Sequence, residues 1–196
     1  MNNKVVKGQY GYIKKQRLKV IIRTLLMFAL SLALFLIGIW STGTKKNLLT
    51  IVAILGCLPA SRSAVNMIMF IRAKGCSEQT HEKISGHSTG LTELYDMVFT
   101  SYEKNYQISH MVIKDNVVCG YSEDAGCDIK ACEKHLDTFL KQGGCKGVTI
   151  KIFGDVEKYC EGLENPRNQQ TGEKQKEEEV SGQLEDILSN LLAIAL

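Results

Sequence analysis

Two long apolar segments lie close together near the start of this chain, at residues 20–40 and 48–71. The first reads VIIRTLLMFALSLALFLIGIW, and as a helix it would be about 31 Å long, which matches the hydrocarbon core of a bilayer. The link between the two segments, STGTKKN, is polar and short. Because so short a link makes the two helices antiparallel, the sequence predicts an α-helical transmembrane hairpin over residues 20–72.

Charge is distributed unevenly along the chain. All 21 acidic residues lie after residue 75, whereas the 24 Lys and Arg divide into 12 before and 12 after that point. The back half therefore carries a net charge of −9, although the whole chain carries +3. This asymmetry predicts a basic membrane anchor followed by an acidic soluble part. A negative soluble part does not favour phosphate-backbone contacts, so no nucleic-acid partner is expected.

The flanking cations predict the orientation of the hairpin. Seven Lys and Arg lie before or at the start of the first segment, and Arg72 and Lys74 follow the second, whereas the link holds only Lys45 and Lys46. By the positive-inside rule, both termini are predicted to lie in the cytoplasm and the protein in the plasma membrane. Residues 1–19 are then a basic cytoplasmic leader. A cleaved signal peptide is disfavoured because its apolar core would be shorter.

A polar patch interrupts the second apolar segment in the sequence LPASRSAVNMIMF. Arg62 lies in its cytoplasmic half, and Asn66 follows one helical turn later, where its amide could accept from the guanidinium. In the first interpretation, Arg62 extends along the span and places its charge among cytoplasmic headgroups. In the second, the span ends near Pro59 and residues 60–72 lie at the interface. In the third, the patch is a site for a lipid headgroup, a partner or an ion within the membrane.

Small residues recur every four positions next to this patch, at Gly56, Ala60 and Ala64. Such a strip lets another helix approach closely, and Ala29 and Ala33 on the first span are plausible counterparts. The sequence therefore predicts a helix-packing surface here.

The back half predicts a small cytosolic α/β domain over residues 77–165. Helical periodicity, β-branched alternation and turn residues predict elements in the order α-β-β-β-α-β-α. They fall at residues 77–87, 94–102, 107–113, 117–121, 128–142, 148–153 and from 155 onward. A polar, flexible linker is expected over residues 166–179. The amphipathic pattern of residues 180–196 predicts a last helix that docks on its own domain or on another copy.

Six of the seven cysteines lie in the back half, where a cytosolic location predicts reduced thiols. Cys127, Cys132 and His135 are candidate metal ligands, but a single C-x₄-C pair lacks the second pair of a typical zinc site. No metal, cofactor or catalytic residue is therefore predicted. A thiol–imidazole pair of His110 and Cys119 is a further hypothesis. The thiol of Cys145 is expected to be unreachable by an impermeant reagent until the membrane is opened.

Two resemblances add expectations. The segment YQISHMVIKDNVVCGYSED and its element order resemble the αβββαβ core of restriction-endonuclease-like domains of the nuclease-related type. Such nucleases carry an acid in the second strand and an acid-x-lysine in the third, where this chain has Ser109, His110 and the run 119–121, CGY. The resemblance therefore implies a degenerate or divergent nuclease-like domain.

A second resemblance covers most of the chain. The combination of NLLTIVAILGCLPASRSAVNMIMF with CEKHLDTFLKQ and KYCEGLEN is similar to a set of small two-span bacterial membrane proteins, some labelled glycosyltransferase-like. It implies a bacterial inner-membrane location and no particular activity. The sequence thus favours a membrane-anchored cytosolic binding or regulatory module, with membrane lipids as partners. Self-association through the spans or the last helix is left open, and a tethered nuclease-like enzyme is the alternative.

Overall fold

The structure, a computed structural model, describes residues 5–43, 48–88, 90–102, 104–114, 116–164 and 177–196. It divides into two compact units. The hairpin unit is Ile13–Ala73, and the α/β unit combines the chain up to Tyr12 with Lys74–Leu196. Lys45, Lys46, Asp115 and most of the predicted linker lie outside the described residues.

Two long helices form the hairpin unit: α1 is Tyr12–Thr42 and α2 is Leu48–Arg72. By length and composition, both helices are able to cross a membrane. The predicted pair of long apolar helices is therefore confirmed. Helix α2 runs without a break through Pro59, so residues 60–72 continue the same helix and do not form a separate one.

Polar contacts fix the register of α1 against α2. The Thr24 hydroxyl lies 2.8 Å from the Ser63 hydroxyl, and the Arg17 guanidinium donates to the Phe70 carbonyl at 3.1 Å. Arg17 also donates to the Ala73 carbonyl at 2.6 Å, so one side chain of α1 bonds two carbonyls at the end of α2. These contacts place the start of α1 level with the end of α2.

The α/β unit has the predicted order of elements. They are α3 Glu78–Ser85, β1 Thr92–Thr100, β2 Asn105–Lys114, β3 Val117–Tyr121, α4 Ile129–Gln142, β4 Thr149–Phe153, α5 Val156–Glu164 and α6 Glu177–Ile194. The strands form one mixed sheet in the order β1-β2-β3-β4. The pairs β1–β2 and β2–β3 are antiparallel, whereas β3 and β4 are parallel because α4 provides the crossover between them.

Short polar side chains start the helices of this unit, as their sequence positions suggest. The Ser77 hydroxyl accepts from the Thr80 N–H, and the Asp128 carboxylate accepts from the Ala131 N–H at 3.1 Å. Asp155 accepts from two N–H groups at the start of α5. These are N-caps, each of which stabilises a helix by roughly 1 kcal/mol. Helix α4 ends at Gly143, next to Gly144 with φ of +88°.

Each face of the sheet carries two helices. Helices α4 and α6 cover the larger core, in which Leu136, Ile187 and Leu191 are fully buried. Helices α3 and α5 cover the opposite face, around Ile84 and Tyr159. Helix α6 therefore docks on its own unit, one of the two dispositions expected from its amphipathic pattern, and it begins within the predicted linker.

The segment before Tyr12 is folded into the α/β unit. The Gly8 carbonyl accepts from the Tyr95 N–H at 2.7 Å, so this segment lies against the outer edge of β1. Gly8 has φ of +88°, and a Cβ there would approach the Leu94 side chain to 2.7 Å, so glycine is required. The basic leader predicted over residues 1–19 is therefore divided: its part up to Tyr12 belongs to the α/β unit, and the rest forms the start of α1.

Candidate functional site

A groove with two arginines lies along one side of the hairpin unit. It has a volume of about 700 Å³, and Arg23 of α1 and Arg62 of α2 both line it, together with Ser63 and Asn66. Both arginine side chains are exposed. Because Thr24 and Ser63 are hydrogen-bonded, their chain neighbours Arg23 and Arg62 lie at nearly the same height along the hairpin.

No carboxylate of the hairpin unit is available to these arginines, since the first acidic residue of the chain is Glu78. Within the described residues, neither Arg23 nor Arg62 makes a hydrogen bond or an ion pair, and the expected bond between Arg62 and Asn66 is not formed. Arg17, by contrast, is bonded to two backbone carbonyls. The groove therefore presents two uncompensated guanidinium groups, which favour an anionic ligand.

The small-residue strip of α2 meets α1 at Ser31. A Cβ at Gly56 would lie 2.9 Å from the Ser31 hydroxyl, and Ala60 is completely buried. Ala64 is half-buried, whereas Ala29 and Ala33, the counterparts suggested by the sequence, are exposed. The contact surface of α1 includes two small polar residues instead: Thr24, whose hydroxyl is hydrogen-bonded to Ser63, and Ser31, which is buried next to Gly56.

A buried polar group joins the sheet to α5. The His110 side chain is completely buried, and its Nδ1 lies 2.8 Å from the Tyr159 hydroxyl. Burial lowers the pKa of His110 to about 4, since a charged imidazole would lose its hydration, so the ring is neutral near pH 7. Its Nδ1 contact is with Tyr159 and not with Cys119, whose strand partner is Val112.

Aromatic rings connect the buried His110 to residues near the start of the chain. The Tyr95 hydroxyl donates to Glu93 Oε2 at 3.0 Å, and that oxygen lies 3.9 Å from His110 Nε2, beyond hydrogen-bonding distance. The Tyr10 ring stacks on His81 at 4.0 Å. Sequence reasoning missed Tyr10, since nothing in a basic leader indicates that Tyr10 stacks on a histidine about 70 residues later in the chain.

Cys127 and Cys132 lie close together at the start of α4, where each thiol shifts the pKa of the other. Cys127 directly precedes the cap Asp128 and Cys132 lies in the first turn, the two positions at which apolar side chains often pack together. The Cys132 thiol lowers the pKa of Cys127 to about 6 by donating to it, while the pKa of the buried Cys132 rises because its proton is held in that bond.

The third candidate ligand, His135, contacts the rings of Tyr106 and Phe139, with centroids 5.7 and 6.2 Å away. In the part of the chain that the structure describes, there is no group of three or more His, Cys, Asp or Glu side chains able to hold a metal ion. The geometry therefore brings together two of the three candidates as a thiol pair.

Cys145 is buried, with 4% of its surface exposed, and the Asn190 amide lies 3.4 Å from its sulfur. A reagent would therefore fail to reach Cys145 whichever side of a membrane it was on. Cys127 and Cys160, which are half-buried, are better reporters of accessibility.

No protein-family model, curated protein or solved structure matches this chain.

Proposed function

We propose that this protein is anchored in the plasma membrane by its helical hairpin and that its α/β unit is a cytoplasmic binding or regulatory module. Membrane lipids are its immediate partners. The observation that carries the proposal is the packing of the segment before Tyr12 onto β1. Because the two ends of the hairpin enter one folded unit, a hairpin that crosses the bilayer twice leaves that unit on a single side.

Charge supports the cytoplasmic side. Lys14, Lys15 and Lys19 are exposed near the start of α1, and Arg72 is exposed at the end of α2. These cations lie at the end of the hairpin unit where the chain joins the α/β unit, and cationic flanks resist translocation.

Internal contacts support a module rather than a catalyst. Asp96 accepts from the Cys76 N–H at 2.7 Å, Glu123 accepts from the Ser77 N–H at 3.1 Å, and Glu133 accepts from the Ile152 N–H at 2.8 Å. Asp96 and Glu123 therefore stabilise the segment that leads into α3, and Glu133 stabilises the outer strand β4. His110 is likewise enclosed within the fold, where no substrate reaches it.

A photo-crosslinking amino acid at exposed positions tests the binding role in cells. Tyr102, Lys158 and Glu185 sample the β1–β2 connection, α5 and α6, and all three side chains are exposed. The proposal predicts a discrete cross-linked species from at least one position in the membrane fraction, and the fully buried Leu136 serves as the negative control position. The same faint, heterogeneous labelling from all three positions would contradict a binding module.

A degenerate nuclease-like domain is the second candidate. The element order from α3 to β4 favours it, since this is the αβββαβ order to which the sequence shows a resemblance. The second strand presents Ser109 and His110, and the third presents Cys119 and Tyr121, in place of the carboxylates of an active nuclease. Cleavage of DNA by the purified full chain with Mg²⁺ or Mn²⁺, and its loss with EDTA, would establish this candidate. Self-association through the spans or α6 stays a prediction.

A further inference from the structure

We infer that the groove lined by Arg23 and Arg62 binds the phosphate of an anionic phospholipid. The inference rests on the proposed membrane insertion and deepens it by naming the lipid class. It assigns a role to two arginines that would otherwise only be tolerated within an apolar hairpin.

The depth of the groove fits a headgroup. If the hydrocarbon core begins near Val20, level with the second half of α2, then Arg23 and Arg62 lie about 5–8 Å inside that boundary at 1.5 Å per residue. An extended arginine side chain covers such a distance and brings its guanidinium to the phosphate level. The groove is also lined by Val20 and Met69 at this boundary, so it is open towards the headgroups.

The charge of the groove requires a partner from outside the hairpin. No acidic residue occurs before Glu78, and neither arginine has a hydrogen-bonding partner within the described residues. An arginine within a membrane costs roughly 2.5–3.5 kcal/mol at mid-depth, and two at one height also repel each other. A phosphate between the two arginines offsets both the cost of placing them in the membrane and their mutual repulsion. Guanidinium groups bind phosphate oxygens through paired, charge-assisted hydrogen bonds.

The same charges select among lipids. A zwitterionic phospholipid carries an amine cation together with its phosphate, and that cation would be repelled by the two guanidinium groups. An anionic headgroup without an amine, such as phosphatidylglycerol, brings only negative charge. Asn66 lies on the groove, exposed and without a hydrogen bond in the described residues, and its carboxamide can bond the headgroup hydroxyls.

The test uses the full chain in nanodiscs made of equal parts phosphatidylglycerol and phosphatidylcholine. Native mass spectrometry of the released protein counts the lipids of each type that remain bound. The wild-type protein is expected to retain phosphatidylglycerol in preference to phosphatidylcholine. The variant Arg23→Gln/Arg62→Gln should lose this preference, by roughly tenfold for each arginine, since the charge-assisted hydrogen bonds of one guanidinium to a phosphate contribute at least on that order.

The matched control is Lys15→Gln/Lys19→Gln, which removes two exposed cations of α1 outside the groove. It should keep the preference, because general attraction to an anionic surface is not the proposed mechanism. Equal retention of phosphatidylglycerol by wild type and by Arg23→Gln/Arg62→Gln would overturn the inference. So would a parallel loss in the lysine control.

Two further measurements are needed. The first distinguishes failure of the lipid inference from failure of membrane insertion, and the second distinguishes lipid phosphate from free phosphate. Incorporation of each variant into nanodiscs, and its resistance to alkaline extraction from cell membranes, is measured first; failure of the wild type there would overturn the proposed function itself. Inorganic phosphate is then titrated into the wild-type complex. If inorganic phosphate displaces phosphatidylglycerol at a phosphate concentration close to that of the lipid, free phosphate is the ligand and the lipid assignment is overturned.

Discussion

The two units of this protein differ in where their large apolar side chains lie: on the surface of the hairpin unit, and in the interior of the α/β unit. In the hairpin unit, leucines at positions 25, 26 and 30 are 60–65% exposed, whereas Thr24 and Ser31 are buried between the helices. In the α/β unit the large apolar side chains are inside, and among its described residues only Val6 and Tyr102 are strongly exposed large hydrophobic side chains. This difference supports the proposal that the hairpin unit lies in lipid and the α/β unit in water.

The difference is the one expected if the two units pack against different solvents. In water, burying apolar surface drives folding, so side-chain volume fills the core. In lipid this driving force between helices is absent, and close approach of small residues with a few hydrogen bonds holds the helices together.

Leu136→Ala should destabilise the α/β unit by about 2–5 kcal/mol, because Leu136 is fully buried and its removal leaves a cavity. Pulse proteolysis of the full chain in urea and mild detergent measures the change. The control Leu25→Ala removes a side chain that is 62% exposed in the hairpin unit and should change stability by less than about 0.5 kcal/mol. Equal effects of the two substitutions would contradict the difference in burial between the two units.

Leu30→Asp should cost about 2.5–3.5 kcal/mol of insertion free energy, since it places a carboxylate near the middle of the first span. The fraction of protein that resists alkaline extraction from membranes is the measurement. Tyr102→Asp, at a fully exposed position of the α/β unit, is the matched control and should leave this fraction unchanged. If both variants fractionate like the wild type, the hairpin does not lie in lipid.

Acidification should weaken the α/β unit through His110. Its pKa is about 4 in the folded protein and 6.5 when exposed, so between these values the unfolded chain binds more protons. The stabilisation is complete above pH 6.5 and is lost as the pH falls towards 4, by up to about 3 kcal/mol. Unfolding free energies over this range in wild type, His110→Gln and the control His135→Gln measure the effect. A pH slope unchanged in His110→Gln would exclude His110 as its source.

Gly56→Val should weaken the hairpin by about 1–3 kcal/mol, because a Cβ at Gly56 would approach the Ser31 hydroxyl to 2.9 Å and separate the helices. Protease resistance of the hairpin in detergent reports the change. Ala33→Val adds similar volume at an exposed position of α1 and should be tolerated. The reverse ranking of these variants would place the helix contact elsewhere.

Cys127 should be the most reactive of the partly exposed thiols of the α/β unit. With a pKa of about 6 it is largely a thiolate at neutral pH, whereas burial raises the pKa of Cys160. Iodoacetamide labelling rates mapped by mass spectrometry should show a midpoint near pH 6 for Cys127. In Cys132→Ala the midpoint should move towards 9, because the donated hydrogen bond is gone; an unmoved midpoint would contradict the thiol pair.

Sequence patterns predicted the elements of this fold because those patterns are local. The two long helices follow from continuous hydropathy, and the order of strands and helices in the back half follows from period and turn chemistry. The N-caps Ser77 and Asp128 likewise act on their own helices. These features need no knowledge of tertiary packing.

The candidate sites depend on contacts between distant residues, which one sequence does not specify. The sequence marks Arg62 as unusual, but its place in one groove with Arg23 depends on the register that Thr24 and Ser63 set. The pairing of His110 with Tyr159 spans 49 residues, and Tyr10 reaches His81 only because the two ends of the hairpin enter one unit. The residue types of Cys127 and Cys132 suggest metal ligands, whereas their positions before and within the first turn of α4 make them a local pair.

Thiol labelling in intact cells tests most directly whether the α/β unit and the hairpin tip lie on opposite sides of the membrane. A Ser41→Cys variant offers an exposed thiol near the tip, and Cys127 offers one in the α/β unit. With an impermeant maleimide and peptide mapping, the account predicts labelling of position 41 in intact cells and of Cys127 only after the membrane is opened. Labelling of Cys127 in intact cells would contradict it.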